Sequence, residues 1–395
     1  MQPIKISQND AEHVGVYLPN LSNLDAYCQK LIDDKLHPYI ALRVWKRNEP
    51  VFSGDYGTQS PNGEPLRPDA IYPLQSVTKA VTATCAAILQ EQGKINFFER
   101  VQDKFPEFTG ENKERVLLWH LLSHTSGMDE DEIDKRFSEQ WAAVEATAVA
   151  AGLIRKTKQK LADAFWDDYA GWANTLKMPL TRLPGTQFSY WNFGYHIIKT
   201  LIERESEMTL EEFARKYIFD PLGMRDTYWF LPEEKRGRFA TCDPKFKGGV
   251  WINSEGMMTS NSAAGGLKST MDDIARFGRM YLNMGTLDGV RIISPATVRL
   301  LTHNHNAGLP DTFWLGRHLG ASWGLGWDVK ENKIDDLGML HSARSYNHGG
   351  FGGARLLIDP DYDLVVSVYI REQRAESFYD NMNYAMDILY SALNQ

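Results

Sequence analysis

The chain has 395 residues, of which 43% are hydrophobic and 24% charged. These are the proportions of a soluble globular protein with room for one large core or two linked ones. A formal net charge of −8 leaves no basic footprint for nucleic acid and mainly favours solubility.

No run approaches the ~18 apolar residues of a membrane-spanning helix, and no apolar stretch follows the first lysine as in a secretory signal. The three cysteines, Cys28, Cys85 and Cys242, are far apart and form no C-x-x-C pair. They read as free thiols, and a cytoplasmic location is the expectation, although a secreted chain trimmed of its leader would read the same.

In chain order, "LSNLDAYCQKLIDDKL" carries Leu24, Tyr27, Cys28, Leu31 and Ile32 as a helical stripe. "PYIALRVWKRNEPVFSGDYG" reads as two strands joined by a polar turn at Asn48-Glu49-Pro50. From Gln75 helices dominate. In the first of them Val77, Ala80, Val81, Thr84 and Ile88 share a face, and Gly93 marks the end. "VLLWHLLSHTSGM", the run from Asp129 to Met178, "WNFGYHIIKTLIERE" and "TLEEFARKYIFDPLGM" follow as further helical units. Thr270 and Asp273 stand at capping-box spacing before another amphipathic run. The pattern then returns to strands in "SWGLGWDV", "NHGGFGGARLLIDP" and "YDLVVSVYI", the last two joined by the Asp359-Pro360-Asp361 turn, before a closing helix. This order predicts an α/β (α+β) fold. Residues 1–75 and 320–395 would build one sheet from the two ends of the chain. Residues 76–319 would form a mostly helical inserted region.

Three short motifs carry candidate chemistry. Ser76-Val77-Thr78-Lys79 lies at a helix start, where free N–H groups and the positive end of the helix dipole favour a developing oxyanion. Lys79, three residues on, shares a face with Ser76 and can reach its hydroxyl. The pattern admits two readings: a nucleophile with its activator, or a capping hydroxyl with a solvated lysine. Tyr190-Trp191-Asn192 precedes the next helix. Tyr190 can take and return a proton, and Asn192 can hold the lysine and donate to a substrate carbonyl. The alternative is a core aromatic followed by a helix N-cap. His348-Gly349-Gly350 opens a strand so rich in glycine that a ligand backbone can lie against it. There the N–H of Phe351, beside that of Ser76, is a candidate oxyanion donor. A bulge with a structural histidine is the other reading.

The ordered set Ser-x-x-Lys, Tyr-x-Asn, His-x-Gly resembles the serine β-lactamase and penicillin-binding-protein superfamily, in its class C β-lactamase-like, esterase and D-aminopeptidase branch. "LLSHTSGM", "FDPLGM", "AGGLKSTMDDIARF" and "WGLGW" strengthen the likeness, which runs from about Ile40 to Leu389. It implies a β-lactamase/transpeptidase-like fold, with a mixed, largely antiparallel sheet flanked by the terminal helices and a site in the cleft between that sheet and the inserted helical region. Ser76 would be acylated, Lys79 its activator and Tyr190 the general base and acid. Asn192, His348, Gly349, Gly350 and Phe351 would support or bind substrate, with no metal or organic cofactor. His348 stands where a lysine is usual in β-lactamases and carboxypeptidases of the group, and is only partly charged near neutral pH. Arg344 and Arg355 are candidates for the missing positive charge. An ester or small amide is therefore the expected substrate, hydrolysed through an acyl-enzyme. Acyl transfer on the same site, or a slow ligand-sensing protein of the same fold, are the alternatives. The segment between Gly127 and Pro184, with Trp141, Trp166 and Trp172, would roof the pocket or pack behind it.

Other chemistries find no support. His120 and His124 are spaced i, i+4 but lack the glutamate of a zinc-hydrolase helix. No Gly-x-Ser-x-Gly occurs, and the glycines near 350 are not followed by Lys-Ser or Lys-Thr.

Overall fold

The described strands are β1 (Tyr39–Lys46), β2 (Glu49–Gly57), β3 (Tyr72–Pro73), β4 (Lys268–Ser269), β5 (Thr286–Leu287), β6 (Val290–Arg291), β7 (Asp328–Val329), β8 (Tyr346–Gly350), β9 (Ala354–Asp359) and β10 (Leu364–Ile370). Six of them make one antiparallel sheet in the order β2-β1-β10-β9-β8-β7, while β3 pairs with β4 and β5 with β6. The computed structural model describes residues 4–129, 176–242, 249–311, 321–335, 337–371 and 380–394. Trp141, Trp166 and Trp172, and the role expected for their segment, lie outside them.

The period-2 pattern of the strands sorts their side chains to two cores. On one face Ile40, Leu42, Val44, Leu357, Val366 and Val368 pack with α1 (Gln8–Val14), α2 (Leu18–Asp33) and the Asp380–Ser391 helix. On the other, Tyr39, Ala41, Leu356, Ile358, Val365 and Tyr369 join a larger core with the helices between the two strand regions. The Met271–Leu282 helix lies directly on β9 and β10 on this side. The expected α/β fold with a largely antiparallel sheet from both ends of the chain is what the molecule has.

Several local readings shift. The β1–β2 turn is the two-residue Arg47-Asn48, both at positive φ (51° and 63°), the backbone a tight hairpin requires. Pro50 sits inside β2, an edge strand where a missing N–H costs nothing. "NHGGFGGARLLIDP" is two strands, β8 and β9, folded back at Phe351–Gly353 rather than one. The Asp359-Pro360-Asp361 turn joins β9 to β10 as expected. Thr270 caps its helix by accepting from the Asp273 N–H, but the Asp273 carboxylate instead accepts from the Asp226 N–H (2.7 Å) and Thr227 (3.1 Å), so the reciprocal box does not form.

Two further pieces position the site. A 3-10 turn, Gln75–Val77, leads into α3 (Thr78–Glu91), which is buried from Thr78 to Leu89. The 263–267 loop lies against the start of that helix. The Leu74 N–H donates to the Leu267 carbonyl (2.8 Å), the Leu267 N–H to Thr78 Oγ1 (3.0 Å) and Thr82 Oγ1 to the Ala263 carbonyl (2.8 Å).

Candidate active site

Ser76 caps nothing. Its 3-10 turn and α3 begin without a side-chain cap, and Ser76 sits half-buried just before the α-helix proper. The preceding residue, Gln75, has φ 52°, an unfavourable setting for a side chain of that size and a local strain at the turn that presents the serine.

Lys79 is fully buried, and the contacts of its ammonium include three short ones. Nζ donates to Ser76 Oγ (3.1 Å), to Asn192 Oδ1 (2.7 Å) and to the Ala264 carbonyl (2.9 Å). Asn192 stands at the N-cap position of the Phe193–Ser206 helix, but its side chain makes no cap and is directed to the lysine. Charge-assisted bonds of this kind fix a long side chain that would otherwise keep its rotamer freedom.

Tyr190 enters from an irregular segment. The Lys79 ammonium lies 4.7 Å from its ring centroid, a cation–π distance. Its ring stacks on His124 (centroids 4.4 Å apart, 27°) and meets the edge of Trp323 at 5.8 Å. Trp323 also contacts His348 at 5.5 Å.

His348 is buried, and Nδ1 donates to the Gly349 carbonyl (2.9 Å). Burial, and then the nearby Lys79 charge, push its pKa down to about 3, so the imidazole is neutral at physiological pH rather than partly charged. Gly350 packs on the serine turn: a Cβ there would stand 2.2 Å from the Leu74 carbonyl oxygen and 3.0 Å from Gln75 Cβ. Phe351 follows at the hairpin turn with 40% exposure. β7 pairs with β8 only at Tyr346 and Asn347, so the His348–Gly350 edge has no strand partner among the described residues.

Neither arginine faces this centre. Arg344 pairs with Asp361 at 2.9 Å on the surface. Arg355 donates to Asn347 Oδ1 (3.0 Å) and lies over Gly349. By strand alternation it shares the sheet face of Leu357, against the terminal helices, opposite that of His348. His120 and His124 do not pair either. The helix ends at Leu122, His124 follows in the left-handed region (φ 59°), and the described residues contain no group of metal-ligating side chains.

The structure thus brings Ser76, Lys79, Tyr190 and Asn192 around one ammonium, with His348 and Gly350 beside them. Three elements of the site were not assigned to it from the sequence. All lie inside stretches quoted for their resemblance: Ala264 in "AGGLKSTMDDIARF", Trp323 in "WGLGW" and His124 in "LLSHTSGM". The Ala264 carbonyl carries no side-chain signal, and His124 was weighed only as a metal ligand.

Comparison with known proteins agrees with this architecture. A Mycobacterium tuberculosis protein is 26% identical over 383 residues, spanning 89% of this chain and 90% of its own length. Penicillin-binding protein 4 of Amycolatopsis lactamdurans is 26% identical over 335 residues, covering 81% of this chain and 77% of its own. Among solved structures, a penicillin-binding-protein homologue from Caulobacter crescentus superposes with a TM-score of 0.74 at 20% identity, covering 96% of this chain and 99% of that one. A family VIII carboxylesterase gives the same four values. The family model described as Beta-lactamase matches residues 24–390, and the chain belongs to that family of serine hydrolases.

Proposed function

We propose that this protein hydrolyses carboxylic esters or small amides through an acyl-enzyme on Ser76. The observation that carries the reading is the Lys79 ammonium held 3.1 Å from Ser76 Oγ by Asn192 and the Ala264 carbonyl.

In this reading Ser76 Oγ attacks the substrate carbonyl carbon while its proton passes to Tyr190, acting as a phenolate beside the Lys79 charge. The carbonyl oxygen becomes an oxyanion received by the N–H groups of Ser76 and Phe351. Collapse breaks the bond to the alcohol or amine, which leaves with the proton from Tyr190. Water then attacks the Ser76 ester by the same route and regenerates the serine. Substrate lies along the open His348–Gly350 edge of β8.

The neutral His348, and the direction of Arg344 and Arg355 away from the centre, support uncharged acyl groups over substrates anchored by a carboxylate. The aromatic surface of Tyr190 and Trp323 suits such groups. It also favours an apolar alcohol over water as acceptor, which is the basis of the acyl-transfer alternative. One neighbour at 16% identity is described as a hydrolase with promiscuous acyltransferase activity.

The test is turnover of p-nitrophenyl esters of graded chain length against a chromogenic cephalosporin, with and without added short alcohols. Rapid ester turnover with cephalosporin turnover lower by ~10²-fold or more is expected, and Ser76→Ala should lose ester turnover by at least ~10³-fold. Faster turnover of the cephalosporin would overturn the ester reading. Transesterification exceeding hydrolysis would select acyl transfer.

A further inference from the structure

We infer that His124 is the positioning residue for Tyr190, gripping the peptide on both sides of it while stacking on its ring. The inference rests on the role proposed for Tyr190 and adds what holds that side chain in place.

The segment 181–192 that carries Tyr190 has no regular secondary structure before the helix at Phe193. Its backbone is held by a bridge from Phe188 to Asp311, with the Phe188 N–H donating to the Pro310 carbonyl (3.1 Å), and otherwise by the loop that follows the Leu118–Leu122 helix. The Thr181 N–H donates to the Gly127 carbonyl (2.9 Å) and the Gly185 N–H to the Thr125 carbonyl (2.8 Å). The two amides that flank Tyr190 both go to His124. The Ser189 N–H donates to its carbonyl oxygen (2.9 Å), and the Trp191 N–H donates to Nδ1 (3.2 Å). The imidazole stacks on the phenol ring between them, with centroids 4.4 Å apart. One residue thus fixes position, direction and ring plane of the next one it touches.

The loop is built for this. His124 takes a left-handed backbone (φ 59°), which turns its carbonyl and its ring toward the same neighbour. The Ser123 carbonyl before it accepts from Asn306 Nδ2 (2.9 Å), and the Tyr195 hydroxyl donates to the Leu122 carbonyl (3.0 Å). Nδ1 can accept only if the imidazole is neutral with its proton on Nε2. Complete burial, then the nearby Lys79 charge, hold it in that form. A displaced general base by ~1 Å can cost ~10²-fold in rate, so a grip on both flanking amides has a direct kinetic consequence.

The experiment compares four single variants, and a loss variant combined with Tyr190→Phe, on a p-nitrophenyl ester, with near-UV circular dichroism confirming the fold. His124→Phe and His124→Leu remove the Nδ1 acceptor. His124→Asn places Oδ1 where Nδ1 stood and tolerates the left-handed backbone. Tyr190→Phe removes the proposed base. We expect kcat to fall ~30–100-fold in either folded loss variant with KM changed less than ~2-fold, and to stay within ~5-fold of wild type in His124→Asn. In a Tyr190→Phe background the loss variant should cost less than ~3-fold, because the group it positions is gone. Equal costs in both backgrounds, or wild-type kcat in a folded loss variant, would overturn the inference. So would a loss beyond ~10-fold in His124→Asn, which decides the matter even if neither loss variant folds. Tyr190→Phe turning over at the wild-type rate would instead remove the Tyr190 role itself, and the inference with it.

Discussion

Lys79 is the residue on which the proposed site turns. Its ammonium is buried, and its known partners include three neutral oxygens. Such a group is costly to desolvate, so it adds little net stability while fixing the geometry around it. Lys79→Met should therefore leave the melting temperature within a few degrees of wild type, or raise it, while lowering ester turnover ~10²–10⁴-fold. A variant that unfolds in the calorimeter but keeps its specific activity would contradict both halves. At this scale the side chains around Lys79 were legible in the sequence because each stands in a short motif with a chemical reason for its spacing. The Ala264 carbonyl was not, because any residue presents the same oxygen. The charge of His348 was misread, since burial and a neighbouring ammonium set its pKa and neither is visible in the string.

Among the elements, the β8–β9 hairpin and the serine turn meet without a side chain between them. Gly350→Ala would place a methyl group 2.2 Å from the Leu74 carbonyl oxygen, where neither backbone can give way without moving Ser76. Loss of fluorophosphonate labelling is expected with a stability cost of ~1–3 kcal/mol. Gly289→Ala, with no neighbour within 4 Å though at φ 80°, should retain labelling. Labelling of Gly350→Ala at the wild-type rate would rule out close packing of the hairpin on the turn. Most strands of the sheet and the longer helices, such as Leu18–Asp33, Thr78–Glu91, Phe193–Ser206 and Met271–Leu282, were legible from periodicity and capping residues, whereas the short Gln8–Val14 and Pro295–Thr302 helices were not read. The hairpin was not, because Gly349, Gly350, Gly352 and Gly353 erase the alternation that marks strand ends. The turn at Gln75–Val77 was read as the first turn of the helix, since a 3-10 entry and an α entry share the same residues over three positions.

For the molecule as a whole, stability should fall steeply in mild acid. Burial holds His120 at about 4, His348 at about 3 and His124 well below the ordinary histidine value of 6.5. Each binds its proton in the unfolded chain first, so the stability it contributes is complete above pH 6.5 and is lost as pH falls toward the folded values. Each adds up to ~1.4 kcal/mol per pH unit in that window. Asp273, pushed up to about 6 by burial, has the opposite sign and offsets roughly one of the three. Urea midpoints should drop between pH 6.5 and 4.5, and His348→Gln should flatten that slope; an unchanged slope would contradict the burial of a neutral imidazole. Fold class was legible because strands at both ends of the chain must share a sheet, whereas the strand order depends on long-range pairing that no local pattern encodes. The account as a whole rests on one covalent event, formation of an ester bond to Ser76. Intact-protein mass spectrometry of an acid-quenched burst with a p-nitrophenyl ester reads it directly. The account predicts one acyl group per chain, mapped by peptide analysis to Ser76 and absent from Ser76→Ala. An adduct on another residue, or turnover with no adduct in the quenched wild type and full activity in Ser76→Ala, would contradict it.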